Sequence, residues 1–262
     1  MRLYKQQNMQ TKQQKKEEES LIFGLRPVIE AVRAGKEIDK LLVQSGLKSE
    51  LFSEMMGLLK QNNVAFQYVP VEKLNRLTTK NHQGVVGYIS AISYKKIKNI
   101  LPTLFDEGKN PLILILDRIT DVRNFGAIAR TAECSGVQAI IIPAHGAAQI
   151  NADAIKTSTG ALHKIPVCRE ENLKSVIDYL KECGLQIIAC TEKATDYYYQ
   201  MDFTLPTAII VGSEEDGILN EYLQKSDAKA KIPMMGEIGS LNVSVATGII
   251  LYEAVSQRMV NA

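Results

Sequence analysis

Three segments concentrate polar, charged and glycine residues, and each lies at the end of a stretch that predicts a strand. They span residues 117–130, 211–217 and 232–248. The carboxyl ends of parallel strands share one edge of a sheet, where ligands of such sheets bind. We therefore expect the three segments to meet and to form a ligand site.

The first segment predicts an anion site beside a helix start. Asn124 is expected to cap a helix over Phe125–Cys134, and Arg130 lies about a turn and a half further along. A surface ion pair of Arg130 with Glu133 or Asp117 is the alternative. Guanidinium groups bind phosphates and carboxylates in a fixed fork geometry, and this segment contains Arg118, Arg123 and Arg130.

The second segment is a polar turn between two glycines. Gly212 and Gly217 bracket Ser213–Asp216, which indicates that the backbone passes close to another group. A solvated acidic loop is the alternative interpretation.

The third segment begins as a loop and continues as a helix. Ser240 is expected to cap this helix, because apolar side chains recur at helical spacing after it. The free N–H groups of a helix start, with small polar side chains beside them, could point at a ligand. The apolar positions are Leu241, Val245, Ile249 and Tyr252.

The sequence lacks the motifs of several other kinds of functional site. No G-x-G-x-x-G follows the apolar run at 112–116, and no P-loop motif occurs anywhere. The four cysteines form no C-x-x-C pair, and the three histidines are widely separated, so no metal site is predicted. None of the three segments contains a histidine, so no Ser/His/Asp triad is predicted.

Alternating strand and helix patterns predict an α/β protein of two domains. We expect a polar tail over 1–20, a small α/β domain over 21–92, and a linker over 93–110 that includes a short helix around 100–105. A mostly parallel sheet with helices on both faces is expected over 111–262. Residues 1–110 carry 18 Lys and Arg against 11 Asp and Glu, whereas residues 111–262 carry 13 against 18. The basic half favours a phosphate-rich partner. The sequence shows no signal peptide and no apolar run of membrane-spanning length, so we expect a cytoplasmic protein without membrane contact.

The three segments resemble the signature motifs of the SpoU class of SPOUT RNA methyltransferases. The first motif reads Asp121-x-x-Asn124-x-Gly126-x-x-x-Arg130-Thr131-Ala132, the second Gly212-Ser213-Glu214-x-x-Gly217, and the third Ile232-Pro233-Met234 followed by Ser240-Leu241-Asn242-Val243-Ser244-Val245-Ala246. Val122-Arg123 replaces the Pro-x that is common before Asn124. In addition, Phe23-Gly24-x-x-x-Val28-x-Glu30-Ala31 and His82-Gln83-Gly84-Val85-Val86 are similar to the L30e-like substrate-binding domain of TrmH-type ribose methyltransferases.

This resemblance implies transfer of a methyl group from S-adenosylmethionine to a ribose 2′-hydroxyl of RNA. It also implies a trefoil knot in the C-terminal domain and an obligate homodimer. The implied cofactor contacts are Gly212, Ile232 and Leu241. The implied catalytic residues are Asn124, Arg130, Glu214, Ser240 and Asn242, and the candidate RNA contacts are Arg26, Arg33, Lys80, His82, Arg118 and Arg123.

The leading interpretation is a methyltransferase acting on a guanosine of large-subunit rRNA. A tRNA ribose methyltransferase is the nearest alternative. Two others are a catalytically silent RNA-binding homologue and a small-molecule enzyme of ordinary doubly wound topology.

Overall fold

The computed structural model describes residues 21–260, so the predicted polar tail over 1–20 lies outside the described residues. These residues form two compact units. The first comprises residues 21–93 with Gln149–Ala152, and the second comprises Tyr94–Ala148 with residues 153–260.

The first unit is a four-stranded sheet with helices, in the strand order β1-β4-β2-β3. β2 pairs parallel with β3, whereas β4 runs antiparallel to both β1 and β2. The three-residue strand β1 was not predicted. The strands are β1 Leu21–Phe23, β2 Ile38–Gln44, β3 Gln67–Val69 and β4 Val85–Ile89, and the helices are α1 Leu25–Arg33, α2 Glu50–Gln61 and α3 Val71–Leu77.

Alternation along β2 supplies both faces of this small sheet. Leu41 and Val43 are buried in the cluster that includes residues of α1 and α2. Leu42 is buried with Leu74 of α3 in a second cluster. Because successive side chains of a strand point to opposite faces, one strand anchors helices on both sides of the sheet.

The second unit is a seven-stranded sheet in the order β7-β6-β5-β10-β8-β11-β9, and every pairing in it is parallel. The predicted α/β class with a parallel sheet is therefore confirmed, and only the two-residue strand β9 was missed. The strands are β5 Leu112–Asp117, β6 Ala139–Pro143, β7 Val167–Glu170, β8 Gln186–Cys190, β9 Asp196–Tyr197, β10 Thr207–Gly212 and β11 Ala228–Lys231. The helices are α4 Ile97–Asp106, α5 Val122–Cys134, α6 Ala152–Thr157, α7 Leu173–Glu182, α8 Asn220–Lys225 and α9 Val243–Val260.

The segment interpreted from sequence as a linker with a short helix around 100–105 contributes the longer helix α4, Ile97–Asp106, to the second unit. Ile97, Leu101 and Leu104 of α4 are buried in the same cluster as Ile113 of β5. Their spacing of three and four residues places them on one face of the helix, and this face covers the sheet.

The central strands of this sheet bring the candidate segments together. All six residues of β5 are buried, as expected for a strand covered on both faces. β5 pairs with β10 in a register that sets Asp117 opposite Gly212. The first and second candidate segments therefore begin side by side at one edge of the sheet.

The trefoil knot implied by the resemblance stays a prediction.

None of the described helices is both long and apolar enough to span a membrane.

Gly126 on α5 allows this helix to lie close to α6. A Cβ atom on Gly126 would lie 2.7 Å from the Cβ of Thr157 and 3.0 Å from the carbonyl oxygen of Ala154. On Gly248 of α9, the nearest atom to an added Cβ would be Thr131 Cγ2 at 3.6 Å, an ordinary contact.

We predict that Gly126→Ala lowers the free energy of unfolding by about 1–3 kcal/mol, because the added methyl group forces the two helices apart. The matched variant Gly248→Ala should be neutral or stabilising by up to about 1 kcal/mol, because alanine favours a helix interior. Urea denaturation at one fixed protein concentration compares them. Equal stability of the two variants would contradict this packing.

Candidate functional site

Loops that follow three neighbouring strands enclose the candidate site. β8 ends at Cys190, β10 at Gly212 and β11 at Lys231. The loops after them, together with the start of α9, surround a cavity of about 520 Å³. It is lined by residues 190–193, 211–217, 230–232, Met234, 239–243, Ala246 and Ile250.

Most of the residues implied by the resemblance lie at this cavity. All three implied cofactor contacts, Gly212, Ile232 and Leu241, line it. Three of the five implied catalytic residues, Glu214, Ser240 and Asn242, do so as well. The second and third candidate segments therefore share one cavity, although residues 218–231 separate them in the sequence.

Asn124 joins this group through a three-residue hydrogen-bond network. Its Nδ2 donates to Glu214 Oε1 at 3.1 Å. Asn242 Nδ2 donates to the same oxygen at 2.8 Å and to Asn124 Oδ1 at 3.0 Å. The backbone N–H of Val243 also points at Glu214 Oε1, at 3.3 Å. Glu214 Oε2 accepts no hydrogen bond within residues 21–260, so one carboxylate oxygen is left for a ligand.

The helix α5 is capped by Asp121, which corrects the assignment of Asn124 as its cap. Asp121 has an extended backbone, and its Oδ1 accepts from the backbone N–H of Asn124 at 2.7 Å. A carboxylate is well placed at a helix start, where the free N–H groups carry partial positive charge. Asn124 lies in the first turn as a result, and its side chain is free to reach Glu214.

The helix α9 begins two residues later than Ser240 predicts. It starts at Val243, and the carbonyl of Asn242 accepts from the N–H groups of Val245 and Ala246, both at 3.0 Å. Asn242 Oδ1 accepts from the backbone N–H of Ser244 at 3.0 Å and from its hydroxyl at 2.6 Å. Asn242 therefore caps the helix with one amide atom and holds Glu214 with the other.

The buried side of α9 is not the row of apolar residues noted in the sequence. It includes Val243, Thr247 and Ile250. Val245 and Tyr252, two residues of that row, are 51% and 52% exposed.

The close approach predicted at Gly212 is an approach to its own loop. A Cβ on Gly212 would lie 2.2 Å from the carbonyl carbon of Gly217 and 2.3 Å from the nitrogen of Ile218. No side chain fits there, so Gly212 allows the polar turn to fold back across the end of β10.

Arg118 faces this turn, which argues against its predicted role as an RNA contact. Its Nη1 donates to Asp216 Oδ2 at 2.8 Å and its Nη2 to the carbonyl of Gly217 at 3.1 Å. Burial alone would lower the pKa of Arg118, but hydrogen bonds to Asp117 and Asp216 and their charges raise it above its ordinary value. The guanidinium is committed to the protein's own carboxylates.

Arg130 is an exposed side chain that makes no hydrogen bond or ion pair within residues 21–260. Both alternative partners are taken, since Glu133 pairs with Lys164 at 3.5 Å and Asp117 with Arg118 at 3.1 Å. Six residues along a helix rotate a side chain by about 600°, so Arg130 projects roughly 120° away from Asn124. Within one chain, Arg130 neither lines the cavity nor joins the network. Arg123, in the first turn of α5, is likewise exposed.

Two of the candidate RNA contacts in the first unit are exposed and available. Arg26 lies on the surface of α1. Lys80 is also exposed, with its ammonium group 5.5 Å from the ring centroid of Phe23. Arg33, in contrast, is held by Glu54 at 2.5 Å and Glu30 at 3.6 Å.

The ring of His82 is built into the first unit. It is only 9% exposed. Its Nδ1 accepts from the backbone N–H of Gly84 at 2.9 Å, and its Nε2 lies 2.8 Å from Asn75 Oδ1. Both ring nitrogens are engaged, so His82 shapes its loop and has no free nitrogen for RNA.

Sequence reasoning missed the stretch Thr191–Lys193, which lines the cavity directly after β8. Its position after a predicted strand was the available signal. Cys190, at the end of that strand, also borders the cavity, but burial raises the pKa of its thiol to about 12 and keeps it protonated. In the described part of the chain, no three His, Cys, Asp or Glu side chains lie close enough together to hold a metal ion.

Two family profiles together match almost the whole described chain. Residues 111–252 match the SpoU rRNA Methylase family. Residues 21–95 match a domain described as RNA 2′-O ribose methyltransferase substrate binding.

Individual proteins agree with these two family matches. A protein of Staphylococcus saprophyticus named as a TrmH family tRNA/rRNA methyltransferase is 36% identical over 92% of this chain and 97% of its own. The structure of an AdoMet-bound rRNA methyltransferase from Sinorhizobium meliloti is 26% identical, with a TM-score of 0.57 over 89% of this chain and 85% of its own. The A. aeolicus TrmH/SpoU tRNA modifying enzyme is 36% identical, with a TM-score of 0.54, but it covers 58% of this chain and 78% of its own.

We predict that Asn242→Ala lowers the free energy of unfolding by about 1–2 kcal/mol, because it removes the cap of α9. Ser240→Ala is the matched control and should change it by less than about 0.5 kcal/mol, since Ser240 lies outside the helix. Thermal unfolding of both variants decides which residue caps the helix. A larger loss for Ser240→Ala would restore the assignment made from sequence.

Proposed function

The chain belongs to the SpoU rRNA methylase family and is an S-adenosylmethionine-dependent RNA methyltransferase, and from that premise we propose that it methylates the ribose 2′-hydroxyl of a guanosine in large-subunit rRNA. The observation that carries this proposal is the Asn124–Glu214–Asn242 network at the edge of a cavity lined by Gly212, Ile232 and Leu241.

The choice of rRNA over tRNA rests on the first unit. The rRNA methyltransferase of S. meliloti aligns with 89% of this chain, whereas the tRNA modifying enzyme of A. aeolicus aligns with 58%. A match over 58% of this chain is about as long as the second unit alone. A separate substrate-binding unit favours the larger RNA, and tRNA remains the second candidate.

The cavity suits the cofactor. Its volume of about 520 Å³ lies within the range of roughly 300–1,000 Å³ that is usual for small-molecule sites. Glu214, Glu215 and Asp216 line it and would favour the positive charges of S-adenosylmethionine. Gly212, Ile232 and Leu241 would hold it, mainly through backbone groups. When bound, S-adenosylmethionine supplies a methyl group already activated by its sulfonium centre, so the reaction needs no metal ion.

Asn124, Glu214 and Asn242 would orient the acceptor ribose. Glu214 Oε1 is saturated by donors from the other two residues and from Val243, so the carboxylate is fixed. Its free Oε2 is the acceptor that this network presents to a ligand. Ser240, in the loop before α9, would contribute a hydroxyl to the same edge of the cavity.

Arg130 would bind an RNA phosphate and stabilise the negative charge that develops on the attacking oxygen. A guanidinium group is effectively always protonated, so we do not assign it as the base. The phosphate that it holds is the acceptor we propose for the hydroxyl proton.

We further propose a homodimer in which Arg130 serves the site of the partner subunit. Arg130 projects roughly 120° away from Asn124 on the same helix and does not line the cavity, which favours a role at the site of a second chain. Val245, Tyr252 and Met259 on α9 are spaced by seven residues and are 51%, 52% and 75% exposed. A row of exposed apolar side chains on one helix favours burial against another copy.

RNA outside the reacting nucleotide would contact exposed cations of both units. Arg26 and Lys80 are the candidates in the first unit and Arg123 in the second. Such contacts bind phosphates and supply affinity without reading sequence. Because the proposed substrate is RNA, we propose a cytoplasmic location.

We predict that rRNA from cells lacking this protein loses one ribose methylation in the large subunit. Mapping of 2′-O-methyl groups across rRNA and tRNA measures this, with wild-type RNA as reference. Loss confined to tRNA would support the second candidate. If no methyl group is lost and calorimetry detects no S-adenosylmethionine binding, the chain is a silent RNA-binding homologue.

We predict that Arg130→Ala abolishes methyl transfer and leaves cofactor binding nearly intact. If Arg130 acts across a dimer, mixing Arg130→Ala with Glu214→Ala subunits restores one complete site in each mixed dimer, or about a quarter of wild-type activity after random exchange. Mixing Arg130→Ala with the Arg130→Ala/Glu214→Ala double variant is the control and should restore nothing. Full turnover of Arg130→Ala alone would remove Arg130 from the mechanism.

A further inference from the structure

Arg118 has a backbone conformation that disfavours every residue except glycine. It follows β5 directly, and its φ is +57°. In this left-handed region, a Cβ atom crowds the following carbonyl oxygen, whereas glycine meets no such contact. A non-glycine residue keeps this conformation where its surroundings hold it there. The contacts of the Arg118 side chain hold its backbone in this conformation.

All three guanidinium nitrogens of Arg118 are used within the second unit. Nη1 donates to Asp216 Oδ2 at 2.8 Å, Nη2 to the carbonyl of Gly217 at 3.1 Å, and Nε to Asp117 Oδ1 at 3.1 Å. Asp117 is only 1% exposed, and its second oxygen accepts from the backbone N–H of Leu219 at 2.8 Å. The pair Asp117–Arg118 thus fixes the chain at residues 216, 217 and 219.

The turn that this pair fixes is the one that carries Glu214. Within the turn, the N–H of Gly217 donates to the carbonyl of Ser213 at 3.0 Å, and the N–H of Asp216 donates to Ser213 Oγ at 3.1 Å. Residues 214–216 are all exposed. Few buried contacts hold such a turn, so its hydrogen bonds to Arg118 and to the asparagine network decide where it lies.

We propose that Arg118 is a positioning residue for methyl transfer, which holds the turn Ser213–Gly217 so that Glu214 Oε1 meets Asn124 and Asn242. This inference deepens the proposed function and rests on it. Arg118 itself neither lines the cavity nor joins the network, and it acts through its contacts with Asp216 and Gly217 of the turn. A lysine would not replace it, because an ammonium group lacks the fork that reaches two carboxylates and a carbonyl together.

The decisive variant is Arg118→Gly, which removes the guanidinium and relieves the backbone strain at the same time. We expect kcat to fall about ten- to a hundredfold and KM for RNA to change little. Loss of the hydrogen bonds to Asp117 and Asp216 lowers the melting temperature, and the relief of backbone strain offsets part of this loss. A residue that mattered only for folding would leave the kcat of the folded protein unchanged.

Thr159→Gly is the matched control. Thr159 also has a left-handed backbone, with φ +53°, and it is exposed in a turn remote in sequence from all three candidate segments. It should gain the same relief of strain and keep the wild-type kcat. A fall in its kcat similar to that of Arg118→Gly would overturn the proposal.

Hydrogen exchange of the amides of residues 213–217 tests whether Arg118 holds the turn, and this measurement needs no RNA. Exchange should be faster in Arg118→Gly than in the wild type, and unchanged in Thr159→Gly. If the wild-type protein methylates no RNA, the proposed function fails, but this measurement still decides whether Arg118 holds the turn. Wild-type exchange in Arg118→Gly would overturn the inference whatever the enzyme does.

Asp216→Ala provides a second variant that leaves the backbone at residue 118 unchanged. It should accelerate exchange in the turn and lower kcat in the same direction as Arg118→Gly. Because the two residues act through one contact, the double variant should be no slower than Arg118→Gly alone. Fully additive losses in kcat would show that Arg118 acts by another route and would overturn the proposal.

Discussion

One carboxylate oxygen, Glu214 Oε1, joins the starts of two helices. It accepts from Asn124 in the first turn of α5, and from Asn242 and the N–H of Val243 at the start of α9. The free N–H groups of helix starts carry partial positive charge, so both ends stabilise a carboxylate between them. A hydrogen bond to a charged group contributes about 1.5–3 kcal/mol. The second and third candidate segments share a cavity, and the first segment joins them through the hydrogen bonds of Asn124 to Glu214 and Asn242.

The parallel sheet brings the ends of β5 and β10 together, and individual glycine and acidic residues there have local structural roles. The parallel register sets Asp117 opposite Gly212, so the loops after β5 and β10 start together. Gly212 lets the turn cross the strand end, because a Cβ there would lie 2.2 Å from Gly217. Gly126 lets α5 approach α6. The glycines of these motifs therefore serve packing and turn geometry as well as any contact with a ligand.

Sequence patterns predicted the repeated structure well and the exact junctions poorly. Continuous apolar runs identified the central strands, because burial on both faces leaves no other pattern. The short edge strands β1 and β9 bury too few residues to leave a pattern. Both helix caps were misassigned by two or three residues, since Asp121 and Asn124, or Ser240 and Asn242, are equally good cap types. Arg118 and His82 could not be assigned from sequence, because a phosphate-binding group and one committed to the protein look alike there. Only the folded positions of Asp216 and Asn75 distinguish them.

Asn124 and Arg130 project from α5 in different directions, and this is the strongest argument for a site shared between two chains. Asn124 is bound into the network of its own chain, whereas Arg130 faces solvent with no partner among the described residues. We therefore propose that the Arg130 that acts on the same ribose as Asn124 comes from a partner subunit. In our proposed homodimer, each α5 serves two sites, one through Asn124 and the other through Arg130. The exposed apolar row lies on α9, the helix that packs against α5, so we propose that this side of the second unit is the dimer interface.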